Sequence, residues 1–347
     1  MAVGLAESPS RGLAPMPTLN AAKLLSRDAD ESQRLLQACK VYGFFYLNLE
    51  TPPTGFMVKA WRDVLSFMDD YFDLPDATKM LDAHDSDITG YEPCGTSTGA
   101  KPGHVDHYES LKVSLEQCLS GVEANLPAAI AKNKELFTSF VQGAHELTLS
   151  MLSCLALAMG LPPGVNKIEA AHDTSRASTS TMSMFRYPAQ TEEEARNAGG
   201  HNQHTDIGTL TFLLCQQPGL QVLSPQLNKW LDVEPRPGHA IINVGDSLRY
   251  LSDQQLFSAV HCVLPHEGRQ LQHRHSIAFF LRPADDAEYT DSRGAKITAR
   301  EWHNLKFDHF RASHAEQANN VILTGGMEKA GIHRAHDSSS AGQTVAA

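Results

Sequence analysis

The chain has 347 residues, of which 41% are hydrophobic and 20% charged, as in an ordinary globular protein. Its formal net charge of -11 argues against broad nucleic-acid binding, because that requires a basic surface. We expect no membrane association and a cytoplasmic location, because the chain lacks a long apolar run and a signal peptide. The six cysteines are scattered, and we expect them to be reduced.

The N-terminal half of the sequence predicts helices around a few strands. Apolar residues recur at helical spacing in three stretches, and shorter apolar or alternating runs indicate strands between them. In chain order we expect a helix over 31–42 ended by Gly43, a buried strand over 44–47, a helix over 54–72, a polar loop over 90–103, a strand over 108–113 and a long helix over 134–159.

After Thr179 the sequence changes to short β-rich runs separated by turn residues. Several short strands at this spacing predict a sandwich or barrel, followed by a last helix that begins near Thr298. Helices first and a β core afterwards indicate an α+β fold. The predicted strands cover residues 182–187, 209–214, 219–223, 240–244, 259–264 and 276–281.

Three residues of the β-rich half suggest a metal site. His204 and Asp206 are two positions apart and project from one face of a strand, and His261 can approach from a neighbouring strand. Two imidazoles and one carboxylate leave metal positions open, which suits Fe(II) and O2 chemistry. A zinc hydrolase can use the same ligands and remains an alternative. His201 is an odd number of residues from His204, so a continuous strand would turn it away from the metal, and we expect it behind the ligands or at the surface.

A candidate clamp for a carboxylate follows the metal motif. Arg274 and Ser276 share a strand face, and their guanidinium and hydroxyl groups suit a carboxylate. Tyr187 could add a phenol to the same group. A single arginine usually forms a surface ion pair, but the order H-x-D, His, R-x-S within one β-rich half favours the clamp, which a zinc hydrolase does not generally require.

Over residues 15–325 the sequence resembles the isopenicillin N synthase-like 2-oxoglutarate/Fe(II)-dependent dioxygenases. The resemblance rests on a set of short segments that occur in the order typical of that family. These segments are Tyr42–Leu47, Gly90-Tyr91, His204–Thr211, Gly219–Val222, Asn243-Val244-Gly245-Asp246, His261, Arg274–Phe280, Thr298–Trp302 and Lys306-Phe307. A departure is Cys262, where an arginine often follows the second metal histidine.

The resemblance implies a distorted double-stranded β-helix, or jelly roll, flanked by helices. It implies one dioxygenase domain over residues 16–331, with disordered segments at 1–15 and 332–347. Within this domain we expect a helix-rich part at 16–175, jelly-roll strands at about 105–115 and 179–285, and a C-terminal helix at 298–315.

The resemblance also implies the chemistry. His204, Asp206 and His261 become ligands of Fe(II), while Arg274, Ser276 and Tyr187 contact the far carboxylate of 2-oxoglutarate. With O2, such an enzyme hydroxylates, desaturates or rearranges a small organic molecule in secondary-metabolite biosynthesis. One alternative is an oxidase of the same fold that uses no 2-oxoglutarate and binds the substrate's own carboxylate at the clamp. A binding protein without catalysis is a further alternative.

Substrate contacts are expected just outside the metal motif. The candidate elements are the loop 91–107, the strand positions Phe185, Phe212 and Leu214, and the C-terminal helix over 302–310. Ordinary core packing is the competing role for each of these residues.

Overall fold

The computed structural model describes residues 11–101, 103–119, 126–197, 200–224, 226–265 and 268–327. Within these ranges the chain forms strands β1 Thr18–Asn20, β2 Phe44–Asn48, β3 Gly90–Glu92, β4 Glu109–Ser114, β5 Thr181–Tyr187, β6 His201–His204, β7 Leu210–Cys215, β8 Leu220–Ser224, β9 Lys229–Asp232, β10 His239–Val244, β11 His261–Val263, β12 Arg274–Leu281, β13 Glu288–Thr290 and β14 Lys296–Thr298. The α-helices in the same ranges are α1 Ala21–Leu25, α2 Ala29–Val41, α3 Phe56–Phe72, α4 Asp76–Lys79, α5 Leu115–Leu119, α6 Ala128–Lys132, α7 Lys134–Ala158, α8 Lys167–Ala170, α9 Glu192–Asn197, α10 Asp246–Leu251, α11 Ala299–Arg311 and α12 His314–Ala318.

Two sheets form the centre of the fold. Eight strands pair in the order β1-β2-β10-β7-β12-β5-β4-β3, and four pair in the order β6-β11-β8-β9. From β5 to β8, and again from β10 to β12, the chain passes from one sheet to the other with each new strand. This alternation builds a double-stranded β-helix, and the helices around it confirm the predicted α+β fold with a jelly-roll core.

Apolar side chains cover both faces of the large sheet. One face packs against helices, and its cluster includes Trp61, Phe140, Met184, Phe212 and Phe279. The other face packs against the small sheet in a second cluster that includes Phe44, Tyr46, Val222, Leu231 and Ile241. Residues at alternate positions of each strand therefore face either the helices or the space between the sheets. The candidate metal site lies in that space.

A glycine ends one helix and a capping pair begins another, at the positions that the sequence predicts. Gly43 follows α2 with a φ of 67°, and a Cβ there would lie 2.1 Å from the carbonyl oxygen of Phe257, so only glycine fits. Thr298 and Glu301 cap the start of α11 reciprocally, each side chain accepting from the other's backbone N–H. The predicted start of the last helix is thereby confirmed.

Two expectations about loops and termini are wrong in part. Gly90–Glu92 is not loop but the edge strand β3, because its backbone pairs with β4 far along the chain. Residues 11–15 are ordered and not disordered as expected, since Leu13 forms a β-bridge with Asp232 and Ala14 is buried. Residues 1–10 and the predicted tail after 331 lie outside the described residues. None of the described helices has both the length and the apolar character needed to cross a bilayer.

Candidate active site

Three side chains converge between the two sheets. His204 ends β6 and lies directly opposite His261, the first residue of β11, while Asp206 follows in the turn after β6. One possible ligand atom from each residue lies within 4.8 Å of the other two. Asp206 Oδ1 is 3.4 Å from Nε2 of His204 and 3.5 Å from Nε2 of His261. The structure thus brings together the three residues that the sequence proposes as metal ligands.

Backbone carbonyls orient the two imidazoles. Nδ1 of His204 is 2.7 Å from the carbonyl oxygen of Asn202, and Nδ1 of His261 is 3.2 Å from that of Ala259. If each Nδ1 carries the proton and donates it, both Nε2 atoms present lone pairs toward Asp206. This is the tautomer that metal-binding histidines require.

Two neighbouring strands orient the carboxylate. Asp206 Oδ2 accepts a hydrogen bond of 2.6 Å from Asn243 Nδ2 on β10 and another from the Thr211 hydroxyl on β7. Oδ1 is left facing the two histidines. Because Oδ2 accepts both hydrogen bonds, Oδ1 is held in the orientation in which it can bind a cation.

Electrostatics favour the protonation states that bind a metal. Burial lowers the pKa of His204, and the neighbouring His261 lowers it further. Burial opposes ionisation of Asp206, but His261 and His204 together hold its pKa well below the usual range. These shifts favour a neutral His204 and an ionised Asp206, the forms in which the two side chains bind a metal.

Arg274, Ser276 and Tyr187 form a second polar group in the space between the sheets. Arg274 lies opposite Tyr187 in the β12–β5 register, with its guanidinium 5.0 Å from the phenol ring centre. Its Nε donates to the carbonyl oxygen of Pro218 at 3.0 Å, whereas its buried Nη1 has no hydrogen-bond partner among the described residues. Arg274 is 1% exposed and Ser276 is 3% exposed. A buried guanidinium with an unused donor suits the binding of a carboxylate ligand.

His201 lies directly behind the candidate ligand His204, one of the two expected positions, but it does not turn away from the triad as strand parity predicts. Its ring centre is 4.5 Å from that of His204, and its ring stacks on Tyr108 at 5.0 Å. The cause is a β-bulge: His201 pairs with Val263 and His204 with His261, so β6 has one residue more than β11 between these pairs. The extra residue reverses the alternation that a continuous strand would keep.

A cavity that opens to solvent adjoins the triad, with about 620 Å³ of empty space that includes part of that solvent. Its walls include Phe185 as predicted, Glu92 and Ser97 from the 91–107 region, and Phe307 and Phe310 of α11.

Three expected contacts are wrong. Phe212 and Leu214 are fully buried on the helix-covered face of the large sheet, because they alternate with the inward-facing Thr211. Trp302 is buried against Tyr250.

The sequence did not point to three charged residues of the cavity, which are the acidic Asp87 and two basic residues, and it assigned no role to the thiol of Cys262. Lys112 on β4 and Arg282 after β12 both line the cavity. Strand alternation could have found Arg282, which is an even number of residues beyond Arg274. Cys262 is buried beside Gln221, with its Sγ 3.9 Å from Oε1, and burial raises the pKa of the thiol to about 12. It lies next to His261 on β11 but is not one of the three clustered ligand candidates.

Comparisons with protein families and curated proteins agree with this geometry. The 2OG-Fe(II) oxygenase superfamily model matches residues 178–283, and the model of the N-terminal region of non-haem dioxygenases in morphine synthesis matches residues 16–127. The 2-oxoglutarate-dependent dioxygenase frbH of Dothideomycetidae sp. is 48% identical over 90% of this chain and 96% of its own length. The 2-oxoglutarate-dependent dioxygenase gloE of Glarea lozoyensis is 44% identical over 90% of this chain and 93% of its own length.

Solved structures share the fold. A full-length Neurospora crassa protein in complex with alpha-ketoglutarate superposes with a TM-score of 0.71 at 21% identity, covering 87% of this chain and 98% of that chain. The rice dioxygenase for auxin oxidation superposes with a TM-score of 0.63 at 23% identity, covering 86% of this chain and 98% of that chain.

Proposed function

Because the chain belongs to the 2-oxoglutarate/Fe(II)-dependent oxygenase superfamily, we propose that His204, Asp206 and His261 bind Fe(II). We propose further that Arg274 and Ser276, with Tyr187, hold the far carboxylate of 2-oxoglutarate. The protein is an oxygenase that oxidises a C–H bond of a small organic substrate. Bound Fe(II) with 2-oxoglutarate supplies the activation of O2 for that oxidation. The convergence of the three ligand atoms within 4.8 Å is the observation that carries the proposal.

The residues fit both groups. Two imidazole nitrogens and one carboxylate oxygen match the donor set of Fe(II) oxygenases, which leaves positions for co-substrate and O2. The co-substrate needs a donor for its far carboxylate, and Arg274 offers one, since its buried Nη1 has no hydrogen-bond partner among the described residues. The candidate ligands line the wall of the cavity, so a substrate bound there would lie beside the metal.

The alternatives raised by the sequence are not favoured. A zinc hydrolase would not need the buried clamp at Arg274, and relatives at 48% and 44% identity are named 2-oxoglutarate-dependent dioxygenases. The same names argue against an oxidase that dispenses with 2-oxoglutarate.

We propose that the protein acts in secondary-metabolite biosynthesis, because its sequence resembles the dioxygenase family described above and its relatives are fungal. We also propose one catalytic domain over residues 16–331 that works in the cytosol, where its six free cysteines would remain reduced. Whether it hydroxylates, desaturates or rearranges depends on the C–H bond that the cavity presents.

The test is to mix anaerobic Fe(II) protein with 2-oxoglutarate and to record the weak visible charge-transfer band of the chelate. We expect the band in the wild type, its loss in His261→Ala and a weaker 2-oxoglutarate affinity in Arg274→Ala. His239→Ala, which removes a histidine at the start of β10, is the matched control and should keep the band. Absence of the band in the wild type would refute the proposal.

The reaction separates the alternatives. Turnover under O2 should release succinate in step with product. Turnover without succinate would indicate the oxidase, and activity with zinc without O2 consumption would indicate a hydrolase.

A further inference from the structure

Arg282 is a rigidly held cation in the wall of the cavity. It directly follows β12 and is 6% exposed. Its backbone N–H donates to Ser180 Oγ at 2.9 Å, and its Nη1 donates to the carbonyl oxygen of Thr179. The guanidinium is therefore fixed before any ligand arrives, which reduces the entropy lost on binding.

The stem of this arginine passes beside the metal-binding turn. A Cβ on Gly208 would lie 2.8 Å from Cγ of Arg282 and 2.5 Å from the carbonyl oxygen of Leu281. Gly208 is two residues after Asp206, so the absence of a side chain there gives Arg282 its route into the cavity. A bulkier residue at this position would displace the arginine or the strand.

Arg282 and the proposed co-substrate anchor lie at opposite ends of one strand face. Arg274 and Arg282 are separated by an even number of residues, or roughly 27 Å along β12. Phe280 is paired with Thr211, whose hydroxyl contacts Asp206. The metal triad is thus level with a position between the two arginines. One arginine serves the co-substrate side of the metal, and the other faces the cavity.

The other charges of the cavity wall are paired. Lys112 Nζ is 2.6 Å from Glu92 Oε2, and Asp87 is paired with Arg311. Asp206 faces the metal site. Within the described part of the chain Arg282 forms no ion pair, and its buried Nε has no hydrogen-bond partner. The wall therefore carries one unpaired positive charge.

The carbonyl oxygen of Thr179 and the ring of Phe280, whose centre is 5.3 Å from the guanidinium, only partly offset the burial of a cation that has no ion-pair partner among the described residues. Burial lowers the pKa of Arg282 to about 10, an effect that Asp206 and Asp87 only partly oppose. At neutral pH the group still stays charged. A charge removed from water without a partner is destabilising, so its retention in a ligand cavity suggests a task in binding.

The rest of the wall selects for an apolar body. Phe185, Phe280, Phe307 and Phe310 all line the cavity, together with Tyr108. Aromatic faces of this kind bury the flat or aliphatic part of a ligand and leave its polar end to a fixed donor.

We infer that the substrate is a small carboxylic acid whose carboxylate pairs with Arg282 and whose apolar body lies against the phenylalanines. The inference rests on the proposed oxygenase function and names its substrate class. A single negative charge neutralises the single unpaired cation, and the planar fork of a guanidinium matches a carboxylate. The carbon to be oxidised then lies between the anchored carboxylate and the metal.

The experiment compares a matched pair of probes, 3-phenylpropanoate and 3-phenylpropanamide. Each is titrated anaerobically into the Fe(II) and 2-oxoglutarate complex, and its dissociation constant is read from the change in the visible band. We expect the acid to bind the wild type at least about tenfold more tightly than the amide, the effect of one charge-assisted contact.

Variants assign the preference to one residue. Arg282→Gln should bind both probes equally and keep the wild-type affinity for 2-oxoglutarate. Arg282→Lys keeps the charge without the fork and should lower the preference about threefold. Arg300→Gln is the matched control, because it removes a neighbouring arginine that is already paired with Asp285 at 2.6 Å, and should leave the preference unchanged.

The outcomes separate two failures. Equal binding of acid and amide by a wild type with a normal band overturns the inference and leaves the oxygenase proposal intact. A preference that persists in Arg282→Gln, or is unchanged in Arg282→Lys, overturns it as well. Absence of the band itself overturns the proposed function and with it this inference.

Discussion

Metal affinity should depend on two residues that do not reach the metal. Thr211 and Asn243 both donate to Oδ2 of Asp206, and Oδ1 faces the histidines. Thr211→Val and Asn243→Ala each remove one of these donors. Without it the carboxylate can rotate, and part of the binding energy must then be used to restore its orientation.

The hydrogen bonds set the expected size of the effect. A bond to a charged group contributes about 1.5–3 kcal/mol, and each 1.4 kcal/mol corresponds to about a tenfold change in affinity. Each single variant should therefore bind the metal about 10–100-fold more weakly, in line with the usual effect of groups that orient metal ligands. Because both donors serve the same oxygen, the double variant should lose less than the sum of the single losses.

Anaerobic titration with Fe(II), in competition with a coloured chelator, measures this affinity. Thr211→Ser keeps a hydroxyl at the same position and is the matched control, so it should bind like the wild type. Urea unfolding of the metal-free proteins separates orientation from general destabilisation. Wild-type metal affinity in both Thr211→Val and Asn243→Ala would refute the reasoning.

Three further predictions concern the stability of the metal-free protein. Lys306→Met should lower the free energy of unfolding in urea by about 3–5 kcal/mol, because Nζ lies 2.6 Å from a carboxylate and both side chains are fully buried; the exposed Lys59→Met should change it little, and equal effects would contradict this. Gly208→Ala should lower the melting temperature, since its Cβ would lie 2.5 Å from a backbone carbonyl oxygen, whereas Gly55→Ala, with its nearest neighbour at 3.8 Å, should not. Stability should also fall with pH below about 6.5, because burial lowers the pKa of His172 from 6.5 to about 4 and the unfolded chain therefore takes up the proton first. The contribution of His172 is about 1.4 kcal/mol per pH unit between these values, and His172→Gln should flatten the slope measured in urea.

Much of the architecture could be predicted because its signals are local. The predicted helices at 31–42, 54–72 and 134–159 agree with α2, α3 and α7 within two residues at each end. Helical periodicity and the terminating glycine depend on the residues themselves and their near neighbours. The edge strand β3 escaped prediction because its pairing with β4 is a long-range contact that no local pattern records.

The candidate metal ligands could be predicted from the sequence, but the residues that surround them could not. The order H-x-D, then His, identified the three residues that meet between the sheets, since donor chemistry and spacing are visible in the chain. His201 was misjudged because strand parity assumes equal numbers of residues on paired strands, and the bulge in β6 breaks that equality. Phe212 was misjudged because neighbouring residues of a strand point to opposite faces, and Thr211, next to it, points toward Asp206.

The sequence by itself determined the class of fold, the candidate metal ligands and the candidate carboxylate clamp, because periodicity, side-chain chemistry and spacing along one strand are local properties. Only the tertiary structure decided which oxygen of Asp206 is free, that His201 lies beside the triad, and that Arg282 of the cavity wall forms no ion pair in the described part of the chain. These features depend on which residues from distant strands lie side by side. Register, bulges and the pairing of buried charges arise only when the sheets assemble.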